Sequence, residues 1–269
     1  MKPVNVFVKL GGSFITDKTV ADSLDGARIA AAARALRQAI DASARRGRPI
    51  QLALGHGAGS YGHILAKEYS AVDGVHPRRG WQGLYRIRES MTRMNLLFLA
   101  ACARGGLFPV TVSPFATAQA RDGKVNGLHT RSIEALLAAG QTPVIHGDVI
   151  LDFKRGFTIA STEALLEALC RRVRFDRIVM VSDTDGVFGH DGKTIPTISR
   201  ANINDLFGAI QGSHAPDVTG GMRKKVEKLF ALLRNGRAGT ARILRCAKDG
   251  RNLRDAVLGT GGGGTLLKA

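Results

Sequence analysis

The feature that most constrains this chain is one local pattern repeated along it: a short apolar run, a turn rich in glycine or Gly–Asp, then a stretch of helical periodicity. Residues 4–10 (VNVFVKL) run into Gly11 and Gly12, and 51–54 run into GHGAGSYGH at 55–63. Residues 143–145 run into a Gly147–Asp148 pair, and 177–181 (RIVMV) run into SDTDG. An apolar run without polar alternation reads as a strand buried on both faces, which a parallel sheet requires. Helical spacing is predicted over 27–46, 87–103, 131–139, 162–173 and 221–234; in the fourth, Leu165, Leu166 and Leu169 share a face. Further strands are expected at 110–112, 242–244 and 265–267, with a short helix at 252–257 and a small hairpin at 148–156. Strands alternating with helices predict an α/β fold on a mainly parallel sheet, and such sheets bind ligands at the carboxyl ends of their strands.

Composition narrows the function classes. At 269 residues the chain buries a core without staples, and its three cysteines, Cys102, Cys170 and Cys246, are too few and too scattered for a disulfide framework or a metal cluster. No metal-ligating residues are assigned. The N-terminal apolar run is short and interrupted by Lys9, and no stretch approaches a membrane span, so a cytoplasmic protein with no membrane association is expected. The net charge of +17 suits a polyanion partner, but the basic residues are scattered in sequence and aromatics reach only 6%. A positive field equally attracts small phosphorylated substrates, so nucleic acid is the disfavoured partner.

The glycine turns point to anions. In KLGGS (9–13) two glycines let backbone N–H groups approach a phosphate, with Lys9 at the strand end. GHGAGSYGH follows a strand and precedes a predicted helix, so its amides would face an anion. Gly57, Gly59 and Gly62 fit the dinucleotide spacing, but no acidic ribose partner follows, and neither loop fits the P-loop pattern. DVTGGMRKK (217–225) opens a helix at Gly220 and Gly221 and sets Lys225 one turn inside; alone it could be a solvated basic face. SDTDG places Asp183 and Asp185 before Gly186 at a strand end; alone it could be an ordinary turn.

Taken in order, VKLGGSFITDK, HGAGSYGHILAKEY, PVIHGDVILD, SDTDGVF and DVTGGMRKKVEKL resemble the blocks of the amino-acid-kinase superfamily, most closely those of isopentenyl phosphate kinases, with the fosfomycin-resistance kinases related. The resemblance spans nearly the whole length. It implies a three-layer αβα sandwich of carbamate-kinase type in a single 1–269 domain, with an acceptor lobe to about residue 170 and a nucleotide lobe beyond it.

The resemblance also implies ATP and Mg²⁺ as cofactors, a small phosphorylated substrate and a homodimer. It assigns catalysis to Lys9, Lys18, His63, Lys225 and Glu163. Lys9 and Lys225 would grip the nucleotide phosphates, Lys18 would act near the γ-phosphate, and Glu163 would organise the lysines although many relatives carry Asp there. Acceptor contacts would come from Gly11, Gly12, Ser13, Gly57, Ala58, Gly59, Gly62, Gly147 and Asp148. Nucleotide contacts would come from Lys9, Asp183, Asp185, Gly186, Gly220, Gly221 and Lys225. The terminal His63 of its loop implies an acceptor ending in phosphate or phosphonate, whereas carboxylate kinases generally lack it; His56 reads as loop structure.

His146 stands where relatives often have an aromatic or apolar residue, which predicts a more polar acceptor pocket. The acceptor's organic tail is expected near Tyr69, Trp81, Tyr85, Met91 and Met94. Phosphoryl transfer needs alignment and electrostatic stabilisation rather than a covalent nucleophile. The reading is therefore a kinase for isopentenyl phosphate. Its alternatives are a kinase for a phosphonate or another small alkyl phosphate, or an inactive nucleotide-sensing or nucleic-acid-binding protein.

Overall fold

A computed structural model describes residues 2–17, 19–75, 78–189, 191–203, 206 and 220–269, so Lys18 and positions 217–219 of the DVTGG stretch lie outside the described residues. The first half runs β1 (Val4–Leu10), α1 (Gly12–Ile15), α2 (Gly26–Arg45), β2 (Ile50–His56), α3 (Gly59–Glu68), α4 (Gln82–Arg104), β3 (Val110–Thr111), α5 (Pro114–Thr117), β4 (Ala118–Arg121), β5 (Lys124–Leu128) and α6 (Arg131–Ala138). There follow β6 (Pro143–His146), β7 (Asp148–Asp152), β8 (Gly156–Ala160), α7 (Thr162–Leu169), β9 (Phe175–Ser182), β10 (Thr197–Ile198), α8 (Gly220–Arg234), β11 (Ala238–Arg245), α9 (Arg251–Leu258) and β12 (Thr265–Leu267).

Eight strands form the central sheet in the order β10-β12-β11-β9-β1-β2-β6-β3, parallel except where β12 meets β11. The pleat of β1 sorts the two helical layers. Val4, Val6, Val8 and Leu10 pack with α2, α4 and α9 through Ile29, Leu36, Met91, Phe98 and Val257. Phe7, pointing the other way, packs with α6, α7 and α8 through Ile133, Leu165, Leu169, Val226 and Phe230. This is the expected three-layer αβα sandwich, and each fully buried Val, Leu or Phe contributes ~1.5–3 kcal/mol. The α2 helix starts where the Asp25 carboxylate accepts from Arg28 N at 2.9 Å, and its alanines allow close approach to α4.

A second, four-stranded sheet has the order β5-β4-β7-β8. The hairpin expected at 148–156 is longer, since its second strand runs on to Ala160. The β4–β5 hairpin was not expected. Its strands, AQAR and KVNGL, are short and half polar, and Asp122 and Gly123 turn between them with φ of 54° and 75°. The Asp-Gly pair is the sequence signal for such a turn. The Asp152 carboxylate ties both hairpin tips together by accepting from the backbone N–H of Asp122, Gly123, Lys154 and Arg155 at 2.7–3.0 Å. Although burial pushes its pKa up, these four donors outweigh it and hold the carboxyl at about 2. No described helix is long and apolar enough to cross a membrane.

Candidate active site

Parallel strands end at one edge, and here each turn hangs from its neighbour. Gly11 N donates to Val181 O at 2.9 Å, Gly57 N to Leu10 O at 3.0 Å, and Gly147 N to His56 O at 3.3 Å. The loops after β9, β1, β2 and β6 are thereby stacked side by side. The first two glycine loops touch backbone to backbone: a Cβ on Gly57 would lie 2.5 Å from Gly12 N, and one on Gly12 would lie 2.7 Å from Gly59 N. Thr16 fastens them, donating Oγ1–H to Gly12 O at 2.9 Å while accepting from Ser60 N at 3.1 Å.

Above this edge is a cavity of about 210 Å³. Lys9, Gly12, Gly57, Ala58, Gly62, His63, Gly147, Asp148 and Glu163 line it. Its size suits a small organic anion rather than a peptide. The lining also includes the apolar Ala66, Ile87, Met91, Ile159 and Ala160. The cavity thus offers both anion-binding groups and surface for a short hydrocarbon.

The pleat that sends Phe7 towards α7 sends Lys9 the same way, where its Nζ contacts Glu163 Oε1. Only 9% of Lys9 is exposed, so the pairing answers the cost of burying its charge. Glu163 sits in the first turn of α7, whose N-cap Ser161 accepts from Ala164 N, and Thr162 Oγ1 donates to His56 O at 2.6 Å to fix that helix end against β2. Burial would push the Glu163 pKa up, but Lys9, the helix-start N–H and Lys225 outweigh it and hold the carboxyl below its ordinary value. Lys225, one turn into α8, therefore acts electrostatically on the same carboxylate that contacts Lys9.

Asp148 is buried and accepts from Arg88 Nη1 at 2.6 Å, while Arg88 Nη2 donates to Ser113 Oγ at 3.1 Å. Burial pushes the Asp148 pKa up to about 7 despite the opposing pull of Arg88. His146 does not line the cavity, which corrects the expectation of a more polar pocket. Its ring is buried and stacked on His56 with centroids 4.9 Å apart, and each Nδ1–H donates to the next glycine's carbonyl at 3.1 Å. Burial lowers the pKa values to about 3 for His146 and about 4 for His56, so both rings are neutral packing groups.

The other described sequence-predicted residues do not line this cavity. Gly11 packs against β9, a Cβ there meeting Val181 O at 2.6 Å, and Gly59 adopts a φ of +49° beside Thr16. Ser13 and Asp183 face a neighbouring hollow of about 560 Å³, together with Asp17 and Asp25. Asp185 is exposed and paired with Arg245 at 3.3 Å, and Gly186 packs on Thr265. Gly220 and Gly221 begin α8.

Of the five residues expected around an acceptor tail, Met91 alone lines the cavity. Met94 and Tyr69 are buried in the core, and Trp81 and Tyr85 are 53% and 64% exposed. Ile87, Ile159 and Arg88 were not anticipated. Ile87 lies one turn before Met91 and was findable from helical spacing; Ile159 reaches the site through a strand that sequence reading had cut short.

A mainly parallel α/β sheet that brings glycine-loop amides, a buried Lys–Glu pair and a histidine to one small cavity defines an anion-handling α/β protein of the kinase type. The chain belongs to the amino acid kinase family, whose model matches residues 5–265. It is 37% identical over 228 residues to an isopentenyl phosphate kinase of Haloferax volcanii, covering 84% of this chain and 88% of that one. It is 31% identical over 224 residues to an isopentenyl phosphate kinase of Methanocaldococcus jannaschii, covering 82% and 85%. Among solved structures it resembles an isopentenyl phosphate kinase with a TM-score of 0.79 and 25% identity, covering 98% of this chain and 100% of that one.

Proposed function

We propose that this chain transfers the γ-phosphoryl group of ATP to isopentenyl phosphate, giving isopentenyl diphosphate. The observation that carries the reading is a cavity lined both by anion-binding groups, Lys9, His63 and the Gly12 and Ala58 backbone, and by the apolar Ile87, Met91 and Ile159. A carboxylate acceptor would have no need of the apolar lining. Similarity to isopentenyl phosphate kinases over more than four-fifths of the chain supports the same acceptor.

The chemical obstacle is repulsion between two phosphates. Lys9, Lys18 and Lys225 would offset it on the nucleotide side, and the glycine-loop amides and His63 on the acceptor side. Glu163 keeps Lys9 and Lys225 turned to the transfer path. An acceptor phosphate is already an anion near neutral pH, its second pKa being about 6, so no general base is needed and His63 acts as a hydrogen-bond donor.

Among the described residues no group of three His, Cys, Asp or Glu could hold a metal alone. Mg²⁺ keeps several waters and would be bound largely through substrate phosphates. With one or two carboxylates such as Asp183 beside it, the ion would neutralise phosphate charge.

The lobe division at about residue 170 is part of this reading, since the cavity draws on residues 9–163 while Asp183, Gly220, Gly221 and Lys225 follow. So is a homodimer: Asn95 ties α4 to Thr111 of edge strand β3 by a 2.8 Å hydrogen bond, and the exposed Leu96, Leu97 and Phe108 nearby supply an apolar face. Cytoplasmic residence accords with the three free cysteines.

Steady-state assays with ATP and a panel of alkyl phosphates, phosphonates and amino acids test the proposal. Isopentenyl phosphate should give the highest kcat/KM. A preference for glutamate or aspartate would sink it, and a preference for a short phosphonate would transfer the site to the antibiotic-resistance type.

A further inference from the structure

The face around Trp81 combines exposed aromatic side chains with basic residues. Trp81 caps α4, its ring lies 5.8 Å from the Phe157 ring, and Gly156 leaves room for Val75, with the indole edge beside it. Leu151 is the cross-strand partner of Phe157, so it shares this side of the β7–β8 hairpin. Trp81, Tyr85, Leu151 and Phe153 are 53%, 64%, 43% and 65% exposed, although each is large and apolar. Phe153 stands at the hairpin tip. The tip is held in place, since Arg155 Nη1 donates to Val72 O at 3.0 Å and Val75 N donates to Arg155 O at 2.9 Å.

This part of the chain is net basic. Leaving out Arg88, which holds Asp148 in the site, the stretch 67–89 has four Lys or Arg against three acids, and 121–124 with 152–155 has four against Asp122 and Asp152. Arg79 pairs with Glu68, Arg86 with Glu89, and Lys154 and Arg155 with Asp122. We propose that this face docks on an anionic lipid bilayer, with Trp81, Tyr85, Leu151 and Phe153 at the headgroup boundary and the Lys and Arg rim against the phosphates. Trp and Tyr favour that boundary because one end is apolar and the other polar. Basic residues near it are attracted by anionic headgroups.

Protein interfaces deplete charge at their core. Here basic residues follow the apolar ones directly, Lys154 and Arg155 after Phe153 and Arg86 after Tyr85. A second copy would bring two positive faces together, which is unfavourable. Docking of this kind needs no spanning helix, so it is compatible with the absence of one among the described residues. It also stands apart from the kinase reading, because it rests on surface composition and geometry alone. If both hold, Val72 and Lys124 border a hollow that shares His63, Ala66 and Ile159 with the cavity, placing the bilayer beside the acceptor's route.

Trp81 is the only tryptophan, so its emission reports this face alone. The test adds vesicles of phosphatidylcholine with about one-third phosphatidylglycerol, or of phosphatidylcholine alone, at low salt and at about 0.5 M NaCl. We expect co-sedimentation and a blue shift of Trp81 with the anionic vesicles. Partitioning should weaken at least about tenfold at high salt, and about tenfold in the folded Leu151→Ser, Phe153→Ser double variant. Co-sedimentation without a Trp81 shift would mean that another basic face adsorbs, and would overturn the proposal. So would a shift that follows protein concentration without lipid, which marks a second copy, or a double variant that partitions like the parent.

Discussion

Lys9 and Asp148 show how individual residues in this site trade burial against charge. Buried Lys9 has the Glu163 carboxylate in contact with it, so an opposite charge answers the cost of its burial. Asp148 is the opposite case, with burial raising its pKa from 3.8 to about 7. A raised carboxyl pKa contributes stability that is full below 3.8 and lost as pH rises through about 7. Chemical denaturation at about pH 5 and about pH 8 should therefore show a fall in stability that Asp148→Asn largely removes, the amide still offering Arg88 an acceptor. An unchanged pH slope in the variant would contradict this. Lys9, His63 and Asp148 were legible in the sequence because their motifs fix them at strand ends and loop termini. Arg88 was not, because its partner lies 60 positions away and only the fold brings them together.

At the scale of elements, the glycine loops set the tolerance of the site. A methyl group on Gly57 would lie 2.5 Å from Gly12 N, with backbone on both sides, so neither partner can rotate away. Gly57→Ala should cost ~1–3 kcal/mol of stability and raise KM for both substrates, by analogy with overpacking elsewhere. Thermal unfolding and steady-state kinetics check this, and a variant with parental stability and KM would show that the loops are not in contact. The central strands were readable because burial on both faces leaves continuous apolar runs. The β4–β5 hairpin was not, because one face of the second sheet meets solvent and its short strands carry no such run; only the Asp122-Gly123 turn announced it. Similarly, the 23 residues of α4 begin five positions before the expected start, since Trp81 caps the helix without a capping side chain.

At the scale of the molecule, a parallel sheet concentrates strand ends from distant parts of the chain at one edge. Lys9, His63, Asp148 and Glu163 span more than half the sequence and still line one cavity. Lys225 arrives from the far half of the chain to act on the same carboxylate. The fold class followed from the alternation of apolar runs and helices. The apolar lining did not, because it joins α3, α4 and β8, whose meeting is a matter of packing.

The account depends on that cavity holding the acceptor's phosphate, with His63 donating to it. The most direct test is kcat for isopentenyl phosphate in purified His63→Ala whose fold is verified by circular dichroism. Losing one such donor predicts a fall on the order of 10²-fold or more. Near-parental turnover in the folded variant would contradict it.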